Sequence, residues 1–301
     1  MRADAAMTAD GVRRPVVAGV DGSECALQAV RWAAAEAVRR HLPLRLVAAH
    51  TWPAGGLVGD PGLGIDPQAV LRDVVRERLA AAEAVVAEVV PGLPVEKVEA
   101  EGDPVAVLAG ESERAELLVL GDRGLGGFTG LLIGSVAVAL CTQAGCPVVV
   151  VRGPEADPAA PRCEPVVVGV DGSPASEAAV AFAVEAAALR GVPLVAVHAW
   201  RDMLVDPTMA PLVDWDAVES DEREVLAERL AGLRTSHPDL VVRKLVVHDR
   251  PARALIDESR GAQLVVVGSR GRGGLRGLLL GSVSQQLLHH AHCPVAVIRA
   301  G

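Results

Sequence analysis

The chain has 301 residues, half of them apolar, and a formal charge of -9. Its length suggests about two domains, and it holds enough apolar material for two ordinary cores. The negative balance argues against a general affinity for nucleic acid or an anionic membrane, so any bound anion must be held locally, by arginines and backbone.

Residues 1–14, MRADAAMTADGVRR, contain no apolar run and read as a flexible tail rather than an export signal. A Val-rich strand is expected over 15–20, a helix over 24–40 and a second strand over 44–49. The Gly- and Pro-rich stretch 51–67 is long enough to be either a lid or a surface insertion. Helices then follow near 68–90, 104–113 and 134–144, alternating with strands near 95–100, 116–121 and 147–152. Residues 128–151 carry no charge and imitate a membrane span, but Gly145 and Pro147 split them into a helical run and a β-branched run. Residues 153–163, rich in Pro and Ala, read as a linker between a first domain, 15–152, and a second, 164–301.

The second domain repeats the first. PVVAGVDGS at Pro15 returns as PVVVGVDGS at Pro165, His50 is answered by His198, and GCPVVVVR is answered by HCPVAVIR. Strands are accordingly expected near 165–170, 193–198, 241–247, 263–268 and 294–299, with a second long loop at 201–214. Short Val-rich runs alternating with longer helical segments define an α/β class with parallel sheets covered by helices.

A glycine pattern occurs once in each half: GDRGLGGFTGLLIGS from Gly121 to Ser135, and GSRGRGGLRGLLLGS from Gly268 to Ser282. Both have the spacing G-x2-G-x9-G-S, through Gly124 and Gly134 in one copy and Gly271 and Gly281 in the other. The first glycine ends an apolar strand and the last Gly-Ser opens an apolar helix. Free backbone N–H groups and the positive end of a helix dipole therefore converge where phosphate oxygens would be welcome. Arg123 in the first copy, and Arg270, Arg272 and Arg276 in the second, are the nearest cations. Neither copy is a Walker loop, which needs Gly-Lys-Ser/Thr, nor a G-x-G-x-x-G fingerprint. The only lysines, Lys97 and Lys244, fall in strands, so no catalytic lysine suggests itself.

Strand one ends in V-D-G-S in both halves, with Asp21 and Asp171 where an open α/β sheet places its ligands. Two readings stay open for this turn: a carboxylate that accepts bonds from sugar hydroxyls, and a plain helix cap. His50 and His198 read as packed strand-end histidines, and LLHHAHC as a helix terminus, because LCTQAGC at the equivalent place speaks against a shared metal site. The five cysteines, Cys25, Cys141, Cys146, Cys163 and Cys293, form no CxxC and read as reduced, in keeping with a cytoplasmic chain. Cys25 sits near a helix start, where a thiolate is favoured, but its twin is Ala175.

Taken together, V-G-V-D-G-S, the glycine spacing and the closing C-P-V-x-V strand, each present twice and in order, resemble the universal stress protein family in its tandem form. The resemblance implies two Rossmann-like, adenine nucleotide alpha hydrolase-like domains, each with a five-stranded parallel sheet of order 3-2-1-4-5. It further implies ATP, with Mg2+, in each domain. Gly19 and Asp21 would line the first nucleoside pocket, with Gly121, Asp122, Arg123, Gly124, Gly134 and Ser135 on the phosphate side. Gly169 and Asp171, then Gly268, Ser269, Arg270, Gly271, Gly281 and Ser282, are their second-half counterparts. Asp122, where the other copy has Ser269, departs from the pattern by setting a carboxylate beside the expected phosphates. The family points to an ATP-binding regulatory protein of stress or dormancy adaptation. A slow ATPase or phosphotransferase, and a nucleotide-free scaffold, are the alternatives. It also implies that the last strands, CPVVVVR and CPVAVIR, pair at an edge between the two domains, that the tandem chains form a homodimer, and that there is a regulatory protein partner.

Overall fold

The computed structural model describes residues 13–51, 67–125, 133–152, 163–200, 215–232, 237–271 and 280–300. The long loops at 52–66 and 201–214, most of the tail and linker, and Arg272 and Arg276 lie outside the described residues. The chain divides into two compact units, Met1–Ala160 and Pro161–Gly301.

In the first unit the elements run β1 Val16–Gly19, α1 Glu24–Arg40, β2 Leu44–His50, α2 Pro67–Val89, β3 Val95–Glu101, α3 Pro104–Ser112, β4 Leu117–Gly121, α4 Ser135–Gln143 and β5 Val148–Val151. The strands pair in parallel as β3-β2-β1-β4-β5, with Val16 beside Leu44 on one side and Leu117 on the other. Helices α1 and α2 cover one face and α3 and α4 the other. The central runs VVAG, LLVLG and VVVV are buried almost throughout, as a sheet covered on both faces requires. Edge strand β3, VEKVEAE, is charged and half exposed, which discourages further pairing on that side.

Helix α1 lies close on the sheet because its inner stripe is small: Ala29, Ala33, Ala34 and Ala37 are fully buried. Ser23 caps its start, accepting from the Ala26 amide at 3.1 Å, and His41 closes its end in the left-handed region at φ 54°. Within it, fully buried Glu36 holds Arg40 at 2.7 Å and Arg39 at 3.5 Å. Helix α3 starts on Asp103, which accepts from the Val105 and Ala106 amides ahead of Pro104.

The second unit repeats the plan with β6 Val166–Gly169, α5 Pro174–Arg190, β7 Leu194–Trp200, α6 Trp215–Leu230, β8 Val242–His248, α7 Pro251–Glu258, β9 Leu264–Gly268, α8 Ser282–His290 and β10 Val295–Ile298. A single 3-10 turn, Ser259–Gly261, follows α7. Its strands pair in parallel as β8-β7-β6-β9-β10. Within each unit the order reverses beside the first strand, so the crevice lies at the carboxyl ends of β1 and β4, and of β6 and β9. Among the described residues no helix is long and apolar enough to cross a membrane; the chargeless stretch resolves into α4 and β5 where it is described.

Candidate functional site

Each crevice begins where the first strand runs out. Val20 and Val170 make the last sheet-like bonds, to Val47 and Val197, and the next residues are Asp21 and Asp171. The chain then turns through Gly22 and Gly172 at φ +90° and +75°, a region L side chains seldom enter. Both turns are closed by the aspartate: Asp21 Oδ1 accepts from the Ser23 amide and Asp171 Oδ1 from the Ser173 amide, each at 2.9 Å. The serine, not the aspartate, is the helix cap. The carboxylate thus closes the turn at the crevice and leaves the capping to the serine.

The glycine loop comes back onto this turn. Asp21 Oδ2 accepts from the Leu125 amide at 2.8 Å, and the Ser23 hydroxyl donates to the Arg123 carbonyl at 3.4 Å. Ser173 reaches the Arg270 carbonyl in the same way at 3.3 Å. A side chain at Gly124 would collide with Asp21 Oδ2, and one at Gly271 with Asp171 Oδ2. Thus the structure brings Asp21 together with Gly124, and Asp171 together with Gly271.

Gly121 and Gly268 are glycine for a reason the sequence reading did not include. A Cβ on Gly121 would sit 2.6 Å from the carbonyl carbon of Cys25, and one on Gly268 2.8 Å from that of Ala175. These glycines let the fourth strand of each unit touch the backbone of α1 or α5. Gly19 makes room for Leu120 and Leu108, and Gly169 for Leu255 and Val267. Gly134 and Gly281 are the N-caps of α4 and α8, with no side-chain cap on the exposed amides that follow. Their own amides are tied to the Asp122 and Ser269 carbonyls at 2.7 and 2.8 Å, which fixes each helix start against the loop start. Ser135 and Ser282 follow them at exposed positions.

In the second unit these residues surround a cavity of about 520 Å3. Gly169, Asp171, Gly268 and Arg270 line it, as do Gly271, Gly281 and Ser282; Ser269 is buried behind the loop. Its lining combines polar groups of the loop, the start of α8, His198 and Glu222 with the apolar side chains of Val197, Ala199, Trp200, Leu255 and Val267.

Several lining residues escaped the sequence reading. His198, expected only to pack, is buried on the cavity wall, with Nδ1 2.7 Å from the Val170 carbonyl and Nε2 2.9 Å from Glu222 of α6. The Trp200 ring stacks on His248 with centroids 4.4 Å apart. Ser284 donates to the Gly268 carbonyl at 2.7 Å and Ser176 accepts from the Asp171 amide at 3.0 Å, so two hydroxyls brace the loop and the turn where the first unit has Ala137 and Ala26. The available signal was position: His198 and Trp200 fall at the carboxyl end of a strand next to the first, where ligands settle.

One expectation about the first unit needs correction. Cys25 is not a favoured thiolate: burial and a hydrogen bond to Asp122 push its thiol up, and the neighbouring Arg123 only partly offsets them. Asp122, at the start of the glycine loop, is buried, with Oδ1 3.6 Å from Arg123 Nε. His289 and His290 occupy the last turn of α8, and among the described residues no three metal-binding side chains gather.

Comparison with known proteins gives the same plan. The sequence profile of the Universal stress protein family matches residues 13–152 and again 163–299. Universal stress protein Rv2005c of Mycobacterium tuberculosis is 43% identical over 290 residues, covering 94% of this chain and 96% of its own. Universal stress protein Rv2623 of the same organism is 41% identical over 303 residues, covering 94% and 96%. Among solved structures, a universal stress protein from Archaeoglobus fulgidus superposes with a TM-score of 0.66 at 21% identity, covering 95% of this chain and 96% of that one, a likeness of fold. With two copies of the profile spanning nearly its whole length, the chain belongs to the universal stress protein family.

Proposed function

We propose that each unit binds one adenine nucleotide, with ATP the ligand of the second cleft, and that occupancy regulates the chain's conformation or partner surface. The observation behind this reading is the cavity of about 520 Å3, within the range of small-molecule sites, which is lined both by the glycine loop and by apolar side chains. Phosphates would meet the uncapped amides at the start of α8, the Gly271 backbone and Arg270. Asp171 keeps Oδ2 at the loop side of the cavity, where ribose hydroxyls would donate to it. Val197, Ala199 and Trp200 would flank the base. With no three metal-binding side chains gathered among the described residues, Mg2+ would ride on the phosphates themselves.

The test is to denature freshly purified chain and identify the released nucleotide by chromatography and mass spectrometry, then to titrate stripped chain with ATP calorimetrically. We expect adenine nucleotide to be recovered, and the second-cleft share of ATP binding to be lost in Gly271→Val. A chain that purifies empty and takes up no ATP would overturn the proposal.

A further inference from the structure

The two clefts differ at a pair of positions that touch. Residues 25 and 122 are Cys and Asp, while their counterparts are Ala175 and Ser269. Asp122 is only 9% exposed and follows Gly121, which lies against the Cys25 backbone at the first turn of α1. Its carboxylate is also 3.6 Å from Arg123 Nε, so the loop's cation is shared with a buried anion on the next residue. In the second unit Ser269 is uncharged and 6% exposed. Arg270, exposed on the cavity wall, pairs with no carboxylate among the described residues. The residue pair opening the loop is thus neutral in the first cleft and singly positive in the second.

We infer that Asp122 sets the charge preference of the first cleft, so that the first unit selects a nucleoside monophosphate while the second accepts the triphosphate. The inference rests on the nucleotide reading above. AMP carries about two negative charges at neutral pH and ATP about four, since a terminal phosphate has its second pKa near 6. A loop whose arginine is already matched by a carboxylate gains less from each added charge, and a poorly hydrated carboxylate repels them all.

The experiment uses the full chain with one cleft closed at a time, Gly271→Val leaving the first and Gly124→Val the second. AMP and ATP are titrated into each without Mg2+. The ratio of ATP to AMP dissociation constants is expected to be about tenfold higher in the first cleft, the order of effect one charge produces at such range. Asp122→Asn and Asp122→Ser should each bring that ratio towards the second cleft's value, and Ser269→Asp should raise the second cleft's ratio. Should a valine variant misfold, the same ratios are read from the intact chain carrying Asp122→Asn or Ser269→Asp alone. Equal ratios in both clefts, or a ratio unmoved by Asp122→Asn, would overturn the inference while leaving nucleotide binding intact. Failure of both clefts to bind either nucleotide would instead remove the reading on which it rests.

Discussion

Gly121→Ala and Gly110→Ala make the same chemical change in the same unit and should act in opposite directions. A Cβ at Gly121 would lie 2.6 Å from the Cys25 carbonyl carbon, 2.7 Å from its oxygen and 3.0 Å from the Ala26 nitrogen. Carbon atoms rest at roughly 3.5–4.0 Å, so β4 and α1 must part by most of an ångström. All three obstacles are backbone, and no rotamer can swing aside. The helix has little slack either, since its alanine stripe is fully buried on the sheet. Overpacking of this kind costs about 1–3 kcal/mol, and rigid obstacles place Gly121→Ala near the top, at about 3 kcal/mol. Gly110 lies within α3 with nothing within 4 Å of an added Cβ, so alanine there should stabilise by roughly 0.5–1 kcal/mol through reduced chain entropy. Urea unfolding followed by circular dichroism, with a separate transition allowed for each unit, should show the first unit's midpoint falling by about 1.5 M for Gly121→Ala at an m-value near 2 kcal/mol/M. Gly110→Ala should raise it. An unchanged midpoint for Gly121→Ala, or shifts of the same sign and size, would refute the close strand–helix approach.

Glu36→Ala should destabilise by about 3–5 kcal/mol, read as a lowered thermal midpoint, because it removes the fully buried carboxylate that holds Arg40 at 2.7 Å and Arg39 at 3.5 Å. Alkylation at pH 8 followed by peptide mass spectrometry should mark exposed Cys163 first. Cys141 and Cys146, whose thiols burial pushes up to about 12, stay protonated and unreacted. Cys25 should lag behind Cys163, since its raised pKa keeps it a thiol there, and equal rates would contradict the Asp122 contact. Arg250 caps α7 without a side-chain bond, whereas Asp103 caps α3 with two. Arg250→Asp should therefore stabilise the second unit by roughly 1 kcal/mol, measured as an increase in its urea midpoint.

The strands were legible because a sheet covered on both faces writes itself as unbroken Val and Leu, and their expected spans agree with the observed ones to within one or two residues. The sheet order was legible only through the resemblance, since periodicity says which residues face inward and not which strand lies beside which. Within the crevice the repeated glycine spacing marked a loop, yet the reasons for individual glycines were hidden. Gly121 meets a backbone carbonyl from Cys25, 96 positions earlier, and no local pattern records that approach. His198 and Glu222 meet because α6 packs against β8, the neighbour of β7, a matter of packing between elements. Cys25 misled for a similar reason: a helix start favours thiolate, but Asp122, brought beside it by the close approach of β4 to α1, reverses the sign.

The bonds from Asp21 to Leu125 and from Ser23 to Arg123 join segments about a hundred residues apart. During synthesis the opening turn must therefore wait for most of its unit to leave the ribosome before these bonds can form. Such distant closures are made slowly, and a molecule that grips the loop can reward only a nearly finished unit. Ligand capture would then serve as a checkpoint on completed folding, independent of any signal the mature chain transmits.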